Sequence, residues 1–180
     1  MPGYQRILVP VDFSDCSPAL VRHAAELAEP HGATLHLLHV AELPRGLGRE
    51  AQVPDAAGQL RPVAELLRQE AEERLLPLLG VAVERGVQAT SRVVQGTAAD
   101  QVLDEARRLP ADLIVMGSHG RTGLRRLLLG SVSEQVLRHA LVPVLTVRGQ
   151  HHAGCEASSC QSCRSGSLEA RLQADAELDG

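Results

Sequence analysis

Met116-Gly117-Ser118-His119-Gly120-Arg121-Thr122-Gly123 and, further on, Gly130-Ser131-Val132-Ser133-Glu134 set glycines and hydroxyls at spacings that suit a polyphosphate. Glycine has no Cβ, so Gly117 and Gly120 let the backbone approach a ligand closely. Gly130 and Ser131 would open a helix whose free N–H groups and positive dipole end favour an anion. His119 can touch the same phosphate. The competing reading is a plain connection, with Ser131 and Glu134 forming a capping box that leaves the helix start less need of an anion. A second chemical group is Asp12, which follows the apolar run Ile7-Leu8-Val9-Pro10-Val11. A carboxylate leaving a buried strand can accept bonds from ribose hydroxyls or adenine. It can equally cap the turn Asp12-Phe13-Ser14.

Other reactive residue types fall at spacings that point elsewhere. Ser118-His119 is no nucleophile elbow, because Met116 stands where Gly-x-Ser-x-Gly needs its first glycine. His36 and His39 are three residues apart in a strand-like run, so they face opposite sides and read as two separately hydrogen-bonded histidines. Cys16 precedes a helix start, where the dipole can lower a thiol's pKa; the alternative is an inert small side chain. Near the end, His151, His152, Cys155, Cys160 and Cys163 place five potential ligands within thirteen residues. Cys155, Cys160 and Cys163 with His152 could complete a tetrahedral Zn²⁺ site, or act as redox thiols, or be incidental.

Composition excludes several classes. All 18 basic residues are Arg, so a Walker A loop and lysine-based nucleophiles are ruled out. With a net charge of −4, no basic tract and two aromatic residues, no nucleic-acid partner is expected. No apolar run approaches the ~20 residues of a membrane span, and no signal-peptide pattern is present. The expectation is a cytoplasmic protein with no membrane partner. A dehydrogenase-type Gly-x-Gly-x-x-Gly is missing after the first strand, where Asp12-Phe13-Ser14-Asp15 stands.

The elements that would position these groups follow from periodicity. Strands are predicted at 6–11, 34–40, 87–94, 111–116 and 144–147. Helices are predicted after Ser17-Pro18, with Ser17 as N-cap, then at 63–79, at 97–109 opened by Thr97 and Asp100, and at 131–140. Residues 41–62, rich in Pro and Gly, read as one long irregular connection. Alternating strands and helices predict an α/β fold with a mostly parallel sheet and helices on both faces. Ligands then bind beyond the carboxyl ends of the strands, where strand order reverses. Residues 1–148 are expected to form one domain, and 149–180 a flexible Cys/His-containing tail of different composition.

The spacing Gly117-x2-Gly120-x9-Gly130-Ser131 resembles the nucleotide motif of the universal stress protein superfamily. The words Ile7 to Asp12, Asp112 to Gly120, Gly130 to Ser133 and Pro143-Val144-Leu145 match in family order. The resemblance covers about residues 4 to 148. It implies a Rossmann-like, adenine nucleotide α-hydrolase-like fold: an open five-stranded parallel sheet of order 3-2-1-4-5. It also implies a homodimer pairing through the last strand, and ATP with Mg²⁺ bound by a stress-response signalling module. Asp12, with Pro10 and Val11, would meet the adenosine, and Val40 would line the adenine. Met116, Gly117, Gly120, Gly130, Ser131, Val132 and Ser133 would take ribose and phosphate. Slow ATP hydrolysis, drawing charge from Arg121, Arg125 and Arg126, is one alternative. A nucleotide-independent scaffold with a sensing tail is the other.

Overall fold

Three consecutive residues of the first strand, Ile7, Leu8 and Val9, are wholly buried, and the fold is arranged around them. A computed structural model describes residues 3–43, 46–48, 50–55, 57–118 and 130–147. His119, Gly120, the three loop arginines and the tail residues His152, Cys155, Cys160 and Cys163 lie outside the described residues.

The strands are β1 (Arg6–Pro10), β2 (Thr34–Ala41), β3 (Gln52–Pro54), β4 (Leu60–Pro62), β5 (Ala89–Gln95), β6 (Leu113–Gly117) and β7 (Val144–Val147). The helices are α1 (Ser17–Ala28), α2 (Val63–Val83), α3 (Ala98–Arg108) and α4 (Ser131–His139). The main sheet has the order β5-β2-β1-β6-β7 and every pairing in it is parallel. Counted without the β3–β4 pair, that is the expected 3-2-1-4-5.

Alternation along β1 divides the core. Ile7 and Val9 join Leu35, Leu37 and Val115 under α1 and α2, against Val21, Ala24, Leu75 and Leu78. Leu8 joins Leu38, Ile114 and Met116 on the other face, against Val102, Ala106 and Val136 of α3 and α4. Period-two side-chain placement on strands buried from both sides is why these segments read as unbroken apolar runs.

Residues 41–62 differ from the irregular connection expected. They contain an antiparallel hairpin, β3 with β4, registered Val53 to Arg61. Its turn is closed by Asp55, whose Oδ1 accepts from the N–H groups of Ala57 and Gln59, each at 2.9 Å. Val53 and Ala51 pack onto Ala41, Val63 and Leu67. At the opposite edge of the sheet, Asp112 ties β1 to β6: its carboxylate accepts from the N–H of Gln5 at 2.7 Å and of Arg6 at 3.1 Å. Among the described residues, no helix is long and apolar enough to cross a membrane.

The α3 face carries a buried charge. Glu105 accepts a two-pronged bond from Arg108, at 2.8 and 2.5 Å, and lies 3.8 Å from Arg92. The hydrogen bond from Arg108 holds its pKa below the ordinary 4.5, with Arg92 adding to the effect and burial opposing it. His36, nearby on β2, bonds through Nδ1 to the Thr90 hydroxyl at 2.8 Å. Its Nε2 is buried with no partner among the described residues. Burial holds its pKa below 6.5; Glu105 opposes the shift, and Arg6 and Arg108 reinforce it.

Both depressed values give stability the same sign. Just below pH 6.5 the unfolded chain binds more protons at His36 than the folded chain does, so stability is lost as the pH is lowered. Glu105 adds a second loss below pH 4.5. Thermal melts across this range should show His36→Leu flattening the upper limb and Glu105→Gln the lower one. Profiles parallel to the parent's would contradict the assignment.

Candidate functional site

The sheet reverses its winding between β1 and β6, and the candidate residues gather at the carboxyl ends of these two strands. Pairing does not stop at Pro10: the Val11 N–H still donates to the Leu38 carbonyl at 2.8 Å. The Val11 carbonyl accepts from His39 Nδ1 at 2.9 Å. A carbonyl can only accept, so Nδ1 carries the proton.

Asp12 is half-buried and divides its two oxygens. Oδ1 accepts from the Ser14 N–H at 3.0 Å and from the Ser17 hydroxyl at 3.3 Å. The turn-capping role is therefore realised, by one oxygen. Among the described residues Oδ2 has no hydrogen bond, which leaves one acceptor for a ligand. Ser17 is not the N-cap that its place before Pro18 suggests. Cys16 occupies that position without a side-chain cap bond, and Ser17 begins the helix with its hydroxyl turned to Asp12.

Across from it, β6 and α4 are fastened together. The Gly130 N–H donates to the Ser118 carbonyl at 2.8 Å, and the buried Ser133 hydroxyl donates to the Gly117 carbonyl at 2.8 Å. Ser118 in turn donates its N–H to the Val147 carbonyl at 2.9 Å. Met116 is buried in the core under this junction, and Val40 and Val132 pack against the same cluster.

The capping box of the competing reading does not form. Gly130 is the N-cap, at φ −72° and ψ 155°, and having no side chain it cannot cap α4 itself. Ser131 is the first helical residue, and Glu134 pairs instead with Arg138 at 3.0 Å. Among the described residues no hydrogen bond engages the N–H groups of Ser131, Val132 and Ser133, which every helix start must satisfy somehow. The start of α3 differs: there Glu42 Oε1 accepts from the Ala98 N–H at 3.2 Å, although Thr97 is the N-cap. A carboxylate already sits at α3, so a bound anion is favoured at α4. Glu42 was not legible as a functional residue, since nothing in its sequence context marks a contact 56 residues away.

The structure therefore brings Pro10, Val11, Asp12, Val40, Met116, Gly117, Gly130, Ser131, Val132 and Ser133 to one edge of the sheet. His36 and His39 remain apart, each with its own partner. Among the described residues no group of three His, Cys, Asp or Glu side chains could hold a metal ion. Among the described residues, a free Asp12 oxygen on one side and helical N–H groups without partners on the other suit a ligand with hydroxyl donors at one end and negative charge at the other.

This doubly wound parallel sheet is an open α/β architecture, the kind in which ligands bind at the crevice beyond the carboxyl ends of the strands. The model of the universal stress protein family matches residues 3–148, and the chain belongs to that family. It is similar to universal stress protein MJ0531 of Methanocaldococcus jannaschii, 36% identical over 145 residues, covering 81% of this chain and 82% of that protein. The solved structure of MJ0577, from the same organism, superposes with a TM-score of 0.65 at 25% identity, covering 83% of this chain and 99% of that one. A universal stress protein crystallised in complex with cAMP superposes with a TM-score of 0.61 at 25% identity, over 82% of this chain and 99% of the other.

The Ser133 tie gives a direct test of the junction. Ser133→Ala should lower stability by about 1–2 kcal/mol, the usual cost of a lost buried hydrogen bond with its acceptor left behind. Denaturant melts measure it, and a parental midpoint would show that the bond carries no weight.

Proposed function

We propose that the chain binds ATP at the crevice between β1 and β6 and acts as a dimeric, nucleotide-dependent stress-response module. One observation carries this reading: α4 starts at a glycine N-cap fastened to the end of β6, with no bond to its first N–H groups among the described residues, while α3's start is occupied by Glu42. Phosphate would lie against Gly130, Ser131 and Val132, and adenosine against Pro10, Val11, Asp12 Oδ2 and Val40. The similar protein held in complex with cAMP supports an adenine ligand in this family. The described residues supply no cage for Mg²⁺, so the cation would enter on the triphosphate.

Gly130 has a negative φ that valine also adopts. Gly130→Val should therefore fold normally and act through the added side chain alone, crowding the phosphate. Calorimetry with Mg-ATP should give clear binding to the parent, weaker binding of GTP, and at least tenfold weaker ATP binding to Gly130→Val. Parental affinity in that variant would remove the phosphate assignment.

The dimer rests on β7, which is an edge strand. Leu141 and Leu145 stand 86% and 40% exposed beside it. An apolar open edge is normally covered, and pairing two copies of it across a two-fold does so. Light scattering should report two chains per particle, and Leu145→Arg should shift the particle to one chain. A monomeric parent at micromolar concentration would contradict the pairing.

A further inference from the structure

Phe13 stands at φ +59°, the one non-glycine with positive φ among the described residues. A bulky aromatic side chain is disfavoured there, so its surroundings must hold it. Two groups do. The His39 ring packs on one side, 4.1 Å between centroids with the planes 31° apart. The Arg74 guanidinium lies over the ring at 4.4 Å from its centroid, and Nη2 donates to the Phe13 carbonyl at 3.4 Å. His39 is itself fixed by its bond to Val11. Arg74 comes from α2 and also lies 3.9 Å from Glu70.

The ring is thus clamped between strand β2 and helix α2, and its backbone is the middle of the turn that Asp12 Oδ1 closes onto Ser14. A relaxation of φ at Phe13 would open that turn and free the Asp12 carboxylate to rotate. We propose that Arg74 is a positioning residue for the nucleotide site, acting through Phe13 to hold Asp12 with one oxygen committed to the turn and the other presented to the ligand. This rests on the nucleotide reading given above. Arg74 itself touches no ligand in this account.

A mutant cycle in the full-length chain tests it, with Mg-ATP as the probe. Arg74→Ala should weaken ATP binding by about tenfold, which is about 1.4 kcal/mol, because an unclamped Phe13 leaves the left-handed region. Glycine adopts positive φ without help. In the Phe13→Gly background, Arg74→Ala should therefore change affinity less than twofold. A purely structural Arg74 would instead lower the melting temperature in both backgrounds and leave affinity untouched, and that result would overturn the inference while sparing the nucleotide site. Equal loss of affinity in both backgrounds would also overturn it, because the effect would bypass Phe13. If the parent chain itself fails to bind ATP, the nucleotide reading falls and this inference falls with it.

Discussion

The double pairing of β1 is the constraint on which the rest of the molecule depends. It bonds to β2 on one side and β6 on the other, in parallel, with its middle residues wholly buried. The chain leaving β1 runs into α1 on one face of the sheet, and the chain leaving β6 runs into α4 on the other. Two neighbouring parallel strands whose continuations diverge must leave a crevice at their carboxyl ends. The positions of Asp12 and Gly130 follow from that divergence. Neither would face a ligand if the winding continued in one direction.

Within the crevice, electrostatics are assigned residue by residue. There is no lysine in the chain, so a phosphate has no ammonium to meet. In the proposed binding mode, backbone N–H groups at α4 take that part. Two acidic residues could have spoiled it. Glu134 is drawn away by Arg138, and Glu42 is placed at α3. Among the described residues the two helix starts on the α3–α4 face are thereby unequal: Glu42 fills one, and no hydrogen bond engages the first N–H groups of the other.

Much of this was readable from the residues, and the exceptions share a cause. Parallel strands covered on both faces are continuous apolar runs, so β1, β2 and β6 stand out. The hairpin at 52–62 does not, because three-residue strands with one half-buried residue each give no periodic signal among prolines and glycines. The alternative box at Ser131 and Glu134 does not form because Gly130 takes the cap and the hydroxyl of Ser133 reaches back to the strand. At Asp12 the two competing roles turned out compatible, since a carboxylate has two oxygens. The Phe13 clamp was invisible: Arg74 lies 61 residues away on α2, and no sequence pattern marks that contact.

Backbone amide shifts during an ATP titration would test the central assignment most directly. At 19.2 kDa per chain the amides are accessible to heteronuclear NMR. The account predicts the largest changes at Ser131, Val132 and Ser133 and around Asp12, with Ala98 and its α3 neighbours little affected. Changes centred on the start of α3, or none at α4, would contradict it.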